Sequence, residues 1–242
     1  MNPVRAHEVW LPLLMITIAT WLLSQHGLDF RLADALFGWE GGQWALRNDW
    51  LLKNVIHEGG RDLVTVVAIF CLFLLAGSYL NETLKPQRRP LLFLVITLAL
   101  SLAAIPVLKE ITQVACPWSL ERYGGNAPSL SVIDQIFLRE GGHCFPAGHA
   151  SSGYAWLALY FCCRAWWPRW RYFALAGALS LGLVFGFAQQ LRGAHFLSHD
   201  LWTLTICWFM GLAAYAVISR PSARRSEISL FTNVKAHLKR GL

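Results

Sequence analysis

Cys-Phe-Pro-Ala-Gly-His-Ala, residues Cys144–Ala150, leads directly into a long apolar stretch of this chain. A second polar segment, Arg-Gly-Ala-His-Phe-Leu-Ser-His-Asp (Arg192–Asp200), separates two further apolar stretches. Both segments lie where an apolar run meets water, and both carry a histidine close to a glycine. These two segments predict a fold of apolar helices with reactive side chains gathered at the helix ends.

The composition indicates a membrane protein. Of 242 residues, 55% are hydrophobic, only 14% are charged and 12 are Trp. A soluble domain carries about 25% charged residues, and Trp is enriched at membrane interfaces. The net charge of +7 comes from basic residues that flank apolar runs, which favours membrane topology over nucleic-acid binding. We expect no zinc site, because the cysteines lack the usual ligand spacing.

The apolar stretches predict an all-α, polytopic membrane protein with a six-transmembrane helix bundle, since a span needs roughly 20 apolar residues. The whole chain, 1–242, is expected to form a single membrane domain. Its basic tail, 220–242, is expected to be cytoplasmic. The six predicted spans are about Val9–Leu23, Leu63–Leu80, Leu91–Leu108, Ala150–Trp167, Tyr172–Ala188 and Leu201–Ser219.

The distribution of Lys and Arg predicts the orientation of these spans. Basic residues are more numerous in the connections on the side of both termini, so both termini are expected in the cytoplasm. In that topology Lys109, His149 and the segment Arg192–Asp200 all emerge on the opposite, non-cytoplasmic side. Residues distant in sequence are therefore expected to converge.

Three of these residues have the chemistry that phosphoryl transfer requires. The reaction needs a nucleophile, a proton donor for the leaving oxygen, and cations around the phosphoryl oxygens. His195, His149 and Lys109 offer one of each, and Gly148 lets a backbone N–H approach an anion closely. The alternative is that both histidines are ordinary hydrogen-bonded residues at the membrane interface.

The same residues resemble the motifs of the PAP2, or acid-phosphatase-like, superfamily of membrane lipid phosphatases over roughly residues 91–219. That family carries Lys-x6-Arg-Pro, Pro-Ser-Gly-His and Ser-Arg-x5-His-x3-Asp. The matching residues are Lys109 and Pro117 in the first motif, Pro146, Gly148 and His149 in the second, and Gly193, His195, Phe196 and Ser198 around the third.

The resemblance implies a role for each matching residue. His195 is expected to be the nucleophile that forms a phosphohistidine, His149 the acid for the leaving group, and Lys109 a phosphate ligand. The family uses no metal, so we expect neither a metal nor another cofactor.

Several positions depart from the family pattern. Cys116 and Gln189 stand where the family has arginine, Ala147 replaces the serine, and His199 occupies the Asp position. Arg192 and Arg122 are the expected substitutes for the missing phosphate-binding arginines. Asp200 is the expected partner that orients the nucleophile, with His199 as the alternative.

Cys116 and Cys144 lie in the same long non-cytoplasmic loop, where the compartment permits disulfides. We expect them to be bridged, the alternative being two free thiols. The segment His57–Asp62 precedes the second apolar run on the same side. It is expected to cap that helix, the alternative being that it lines the entrance of the site.

The resulting hypothesis is a phosphatase of lipid phosphates or diphosphates in a bacterial-type inner membrane, with its active site on the periplasmic face. Its expected partners are a lipid phosphate substrate and membrane lipids, without nucleic acid and without an obligate protein partner. A lipid phosphotransferase with the same phosphohistidine is an alternative. So is a catalytically degenerate protein that binds anionic lipid, which the absent arginines favour.

Overall fold

The computed structural model describes residues 3–25, 27–139 and 141–219, so the predicted cytoplasmic tail lies outside the described residues. The described chain is helical. The α-helices are α1 (His7–Gln25), α2 (Leu28–Trp39), α3 (Gly60–Leu80), α4 (Arg88–Thr112), α5 (Val132–Leu138), α6 (Gly148–Tyr154), α7 (Leu157–Trp166), α8 (Arg171–Leu191) and α9 (Leu197–Ser219). A π-helical segment, Leu51–Gly59, continues directly into α3.

Several of these helices are suited to a membrane. Four helical stretches are long and apolar enough to cross one: Leu51–Leu80, Glu82–Ser119, Pro168–Leu191 and Leu197–Ile218. A fifth arises if His7–Leu23 and Leu28–Trp39, which are bent by 63°, form one span. Large apolar side chains such as Leu14, Phe73 and Phe187 are exposed on the outer faces of these helices. These features indicate a multi-pass membrane protein.

The predicted span over Ala150–Trp167 is not one unbroken helix. A turn at Ala155 and Trp156 divides it into α6 and α7, which have 7 and 10 residues and are each too short to cross a bilayer. Both helices are buried among the others, and Leu157 is fully enclosed. Six separate long spans are therefore not evident in the structure.

Helix α6 packs closely against α8 through two glycines. A Cβ atom on Gly153 would lie 2.3 Å from the backbone nitrogen of Gly182, and one on Gly182 would lie 2.1 Å from the ring of Tyr154. Small residues allow this backbone approach, as is common between membrane helices. The contact fixes the last turn of α6 against the middle of α8.

Opposite charges connect the first helix to the centre of the bundle. Arg164 of α7 is buried and forms an ion pair with Glu8 of α1. The same guanidinium donates to the carbonyl oxygen of Pro3 at 2.7 Å. Arg164 therefore does not extend freely to the interface, because a buried charge requires a partner.

The loop after α4 is tied to the start of α6. Cys116 and Cys144 are joined by a disulfide, with their Cα atoms 5.1 Å apart. The backbone N–H of Cys144 donates to the carbonyl oxygen of Val114, and the hydroxyl of Thr112 donates to that of Phe145. These bonds hold the segment that precedes His149 against the end of the helix that carries Lys109.

We expect reduction of this disulfide, or the change Cys116→Ser, to lower the free energy of unfolding. The bridge spans 28 positions of sequence, and the loss of such a constraint costs about 3–4 kcal/mol in the chain-entropy model. Intact mass after alkylation without reductant checks the bridge, and thermal unfolding with and without reductant checks its effect. Alkylation of both Cys116 and Cys144 in the unreduced protein would contradict the pairing.

Candidate active site

Two imidazoles and one ammonium group from distant parts of the chain meet near the ends of α4, α6 and α9. His195 lies in the short loop before α9, His149 in the first turn of α6, and Lys109 in the last turn of α4. Lys109 and His149 both lie close enough to His195 to lower the pKa of its imidazole. The structure thus brings together the three residues that the sequence proposes for phosphoryl transfer.

Gly148 brings the ammonium of Lys109 close to the start of α6. A Cβ atom at this position would lie 3.0 Å from Lys109 Nζ, so any larger residue would push against the ammonium group. The backbone of Gly148 and the ammonium of Lys109 can therefore face the same anion.

His195 is buried beside a second imidazole. Its Nδ1 atom lies 3.2 Å from Nδ1 of His199, and both side chains are almost fully enclosed. His195 lies in the loop that precedes α9, and His199 lies in the first turn of that helix. Burial, followed by the neighbouring His199 and Lys109, holds the pKa of His195 well below its usual value. His195 is therefore a neutral imidazole, the form that can act as a nucleophile.

The structure corrects the expected role of Asp200. Its carboxylate accepts a hydrogen bond from the side-chain amide of Gln190 at 2.5 Å, and it lies against Gly186 of α8. Asp200 is five positions after His195, so α9 turns it away from the face that carries His199. The group beside His195 is consequently an imidazole rather than a carboxylate.

The acid candidate, His149, is half-buried among cationic neighbours. Burial lowers its pKa to about 3, with further contributions from His57, Lys109 and Arg192. A phosphate dianion bound here would act in the opposite direction, because an adjacent negative charge favours the protonated imidazole. Binding of an anion would therefore raise the pKa of His149.

Arg192 also lies near this cluster, since its positive charge contributes to the lowered pKa of His149. Its Nε–H donates to the carbonyl oxygen of Arg47 at 2.8 Å, and its Nη1 donates to Oε1 of Gln189 at 3.2 Å. A guanidinium has five N–H donors, so these two bonds leave others for a ligand.

The substitution Arg192→Lys is expected to lower kcat/KM by about tenfold or more, since a lysine cannot donate in two fixed directions at once. Steady-state kinetics on the purified variant measures the loss. Arg47→Lys is the matched control, because only the backbone oxygen of Arg47 takes part in the contact. A silent Arg192→Lys change would indicate that Arg192 contributes charge alone.

The structure also corrects the expected role of Arg122. Its guanidinium forms two hydrogen bonds to the carboxylate of Asp34, at 2.7 and 2.6 Å, on an exposed part of the molecule. The hydrogen bonds to Asp34 raise the pKa of Arg122 further. Two N–H groups of the guanidinium are thus already bound to one carboxylate. Arg122 therefore connects the loop between α4 and α5 to α2 rather than binding phosphate.

His57 joins the site although it lies outside the resemblance to the family motifs. Its ring stacks on that of His149, with centroids 3.4 Å apart and planes inclined by 25°. The residues packed around the pair leave a crevice too narrow to hold a water molecule; they are Ile56, His57, Arg61, His149, Ser152, Phe185 and Gln189. The signal in the sequence is the polar segment His57–Asp62, which is expected on the same side of the membrane as the motif histidines, with helix capping as its expected role and lining of the site entrance as the alternative.

An apolar cavity of about 480 Å³ adjoins the motif residues. Phe145 and Pro146 precede His149, Phe196 follows His195, and Leu108 precedes Lys109; all four side chains line the cavity. Trp202 and Ile206 of α9 complete its apolar wall. The cavity reaches the polar cluster through Phe145, whose ring contacts that of His199 with centroids 5.3 Å apart, whereas His149, His195 and Lys109 do not line it.

The described chain is thus a helical membrane protein in which two histidines and a lysine gather at the helix ends. A family model described as the PAP2 superfamily matches residues 90–222, more than half of the 242 residues. The chain belongs to the PAP2 superfamily, and this membership implies a phosphatase-like function. No curated protein and no solved structure matches the chain.

Proposed function

We propose that this protein is a membrane lipid phosphatase that hydrolyses a lipid phosphate or diphosphate through a phosphohistidine on His195. The observation that carries the proposal is the convergence of His195, His149 and Lys109 from three separate helix ends. These residues also occupy the corresponding positions of the motifs on which the resemblance to the family rests.

In the first half of the reaction, His195 attacks phosphorus. If Nδ1–H of His195 donates to Nδ1 of His199, 3.2 Å away, then Nε2 of His195 keeps its lone pair. That lone pair forms the P–N bond while the P–O bond to the lipid breaks. The buried His199 holds the ring of His195 in orientation, in the manner of the partner group in other nucleophile and base pairs.

His149 supplies the proton for the leaving oxygen. It is protonated when the anionic phosphate binds, and it becomes neutral once the lipid alcohol or lipid phosphate departs. In the second half, neutral His149 takes a proton from water as that water attacks phosphorus and the P–N bond breaks. Inorganic phosphate leaves, and both histidines return to their starting states.

Cationic and backbone donors stabilise the charge on the phosphoryl oxygens. Lys109 and the N–H groups at the start of α6 face the same space beside Gly148. Fixed donors of this kind in a buried site favour the transition state because they need little reorganisation.

The apolar cavity favours a lipid as the substrate. Its walls carry Phe145, Phe196 and Leu108, each next to a residue of the proposed reaction centre. A lipid chain lying in this cavity would bring its phosphate to His195 while its apolar part stays out of water.

We further propose that the chain forms one membrane domain with six spans, in which α6 and α7 cross together as a broken span. Both termini are cytoplasmic in this arrangement, and the reaction centre opens on the periplasmic side of a bacterial-type inner membrane. The excess of Lys and Arg in the connections on the side of the termini supports this orientation.

The test is release of inorganic phosphate from several lipid phosphates and diphosphates by the purified protein in detergent, with a chelator present. Release supports the proposal, and the rank of substrates identifies the lipid class. Transfer of the phosphoryl group to an added lipid alcohol in preference to water would assign a phosphotransferase. Binding of lipid phosphate without any turnover would refute catalysis.

A further inference from the structure

The apolar cavity of about 480 Å³ has one acidic side chain in its wall. Asp29, at the start of α2, is 8% exposed and lines this cavity. Its carboxyl group forms no ion pair within the described part of the chain. A buried carboxyl group is unfavourable unless hydrogen bonds satisfy it. The presence of Asp29 in a mostly apolar wall therefore requires an explanation.

Asp29 is bound to the segment that follows His195. The backbone N–H of Ser198, in the first turn of α9, donates to Oδ1 of Asp29 at 3.0 Å. Ser198 also lines the cavity, and its Oγ is buried without a well-formed hydrogen bond among residues 3–25, 27–139 and 141–219. A carboxylate offers about four acceptor positions, and Ser198 has only two donors, its N–H and its O–H. Asp29 therefore keeps acceptor capacity for a group inside the cavity.

The remaining polar groups of the cavity wall are fewer than its polar residues suggest. The hydroxyls of Thr112 and Ser131 donate to other groups of the protein. Thr20, near the end of α1, has a buried Oγ1 for which the described residues provide no partner. The capacity to bind a polar ligand group thus lies with Asp29, Ser198 and Thr20, of which only the first two are in direct contact.

A second contact holds Asp29 near the reaction centre. Phe30 packs edge to face on Phe196, with ring centroids 5.3 Å apart, and both rings line the same cavity. Ser198 is three positions after His195, and three residues of extended chain span on the order of 10 Å. One hydrogen bond, a few covalent bonds and the approach of phosphorus to His195 together cover such a distance.

We propose that Asp29, supported by Ser198, determines substrate specificity by binding a hydroxyl group that the lipid carries within a few bonds of its phosphate. The substrate class is a lipid phosphate with a free hydroxyl beside the phosphate, as in a monoacylglycerol phosphate. Its chain lies against the apolar wall, and its hydroxyl donates to the carboxyl group of Asp29. Pockets for small molecules are typically about 300–1,000 Å³ and mostly apolar, with a few polar groups that fix orientation. The inference rests on the proposed function for the place of the phosphate.

Two matched lipids without phosphate test this recognition in the absence of turnover. 1-Oleoylglycerol and its 2-deoxy analogue differ only by the central hydroxyl. Equilibrium binding of each radiolabelled lipid to the full-length protein in detergent gives the ratio of their Kd values. We expect the wild type to bind 1-oleoylglycerol about tenfold more tightly, as one hydrogen bond to a buried carboxyl group provides. Equal binding of the two lipids by the wild type would overturn the inference.

Asp29→Leu removes the carboxyl group and should abolish the preference, so that the ratio of Kd values falls to about one. A purely structural role of Asp29 would weaken binding of both lipids equally, and an unchanged ratio would therefore count against the inference. Asp49→Leu is the matched control. Asp49 likewise accepts a backbone N–H at the start of a helix, from Leu52 at 2.9 Å, but does not line the cavity. If Asp29→Leu cannot be purified, the wild-type ratio decides alone.

The corresponding phosphates separate this inference from the proposed function. The wild type should hydrolyse 1-oleoylglycerol 3-phosphate with a kcat/KM about tenfold above that for its 2-deoxy analogue. If the preference in binding is present but neither phosphate is hydrolysed, the hydroxyl site stands and the phosphatase assignment fails. If the wild type binds both lipids equally and hydrolyses both phosphates equally, the phosphatase assignment stands and this inference fails.

Discussion

Replacing His195 by alanine is expected to abolish turnover while the protein stays folded. His195 is buried, and burial together with the nearby Lys109 and His149 lowers its pKa, so that its imidazole is neutral. Removal of a covalent nucleophile eliminates the reaction path itself, so the fall in kcat should be on the order of 10⁴-fold or more. Phosphate release from a lipid phosphate measures this fall.

Two further measurements sharpen the result. His143→Ala, an exposed histidine outside the site, should keep wild-type activity. Acid-labile phosphate should appear on the wild-type protein after a rapid quench and be absent from the His195→Ala variant. Near-normal phosphate release by His195→Ala would transfer the nucleophilic role to another group.

His199 deserves comparison with the carboxylate that the family pattern has at this position. A carboxylate stabilises a developing imidazolium by its negative charge, whereas a neutral imidazole brings no charge and stabilises it only through a hydrogen bond to its acceptor nitrogen. In the proposed reaction, His199 would therefore act on His195 by orienting its ring more than by charge. The difference depends on one position in the sequence, because His199 contacts His195 whereas Asp200, the next residue, contacts Gln190.

The sequence predicted the elements that depend on local composition. The apolar runs around α3, α4, α8 and α9 correspond to helices that begin and end within a few residues of the expected bounds. Glycine, lysine and histidine at the ends of apolar runs indicated where the polar cluster would form. Both kinds of inference rest on the same physical rule, that charged groups leave the hydrocarbon region.

The contacts that depend on packing could not be predicted in this way. No proline or charge marks the turn at Ala155, so the run Ala150–Trp167 looked continuous. The pairing of Arg122 with Asp34 joins residues 88 positions apart. The stacking of His57 on His149 requires both the π-helical segment and the close contact of Gly60 with Phe185. Such contacts are set by the tertiary arrangement and leave little trace in a single sequence.

The other large effect is expected at His149, and it should depend on the leaving group. As the acid, His149 protonates the departing oxygen, a contribution worth about 10²–10⁴-fold in rate. A lipid alcohol is a poor leaving group and needs this proton, whereas an activated aryl phenolate does not. His149→Ala should therefore lose most of its activity on lipid phosphates and much less on an aryl phosphate.

The pH profile gives an independent measure of the same role. Burial and the neighbouring cations lower the pKa of His149 to about 3, and a bound phosphate dianion raises it again. An acid must be protonated to act, so wild-type kcat on a lipid phosphate should fall as pH rises through the pKa of His149 in the complex. His149→Ala should lack this fall, because the titrating group is gone. Equal losses on lipid and aryl phosphates, with an unchanged pH profile, would instead make His149 a binding residue for phosphate.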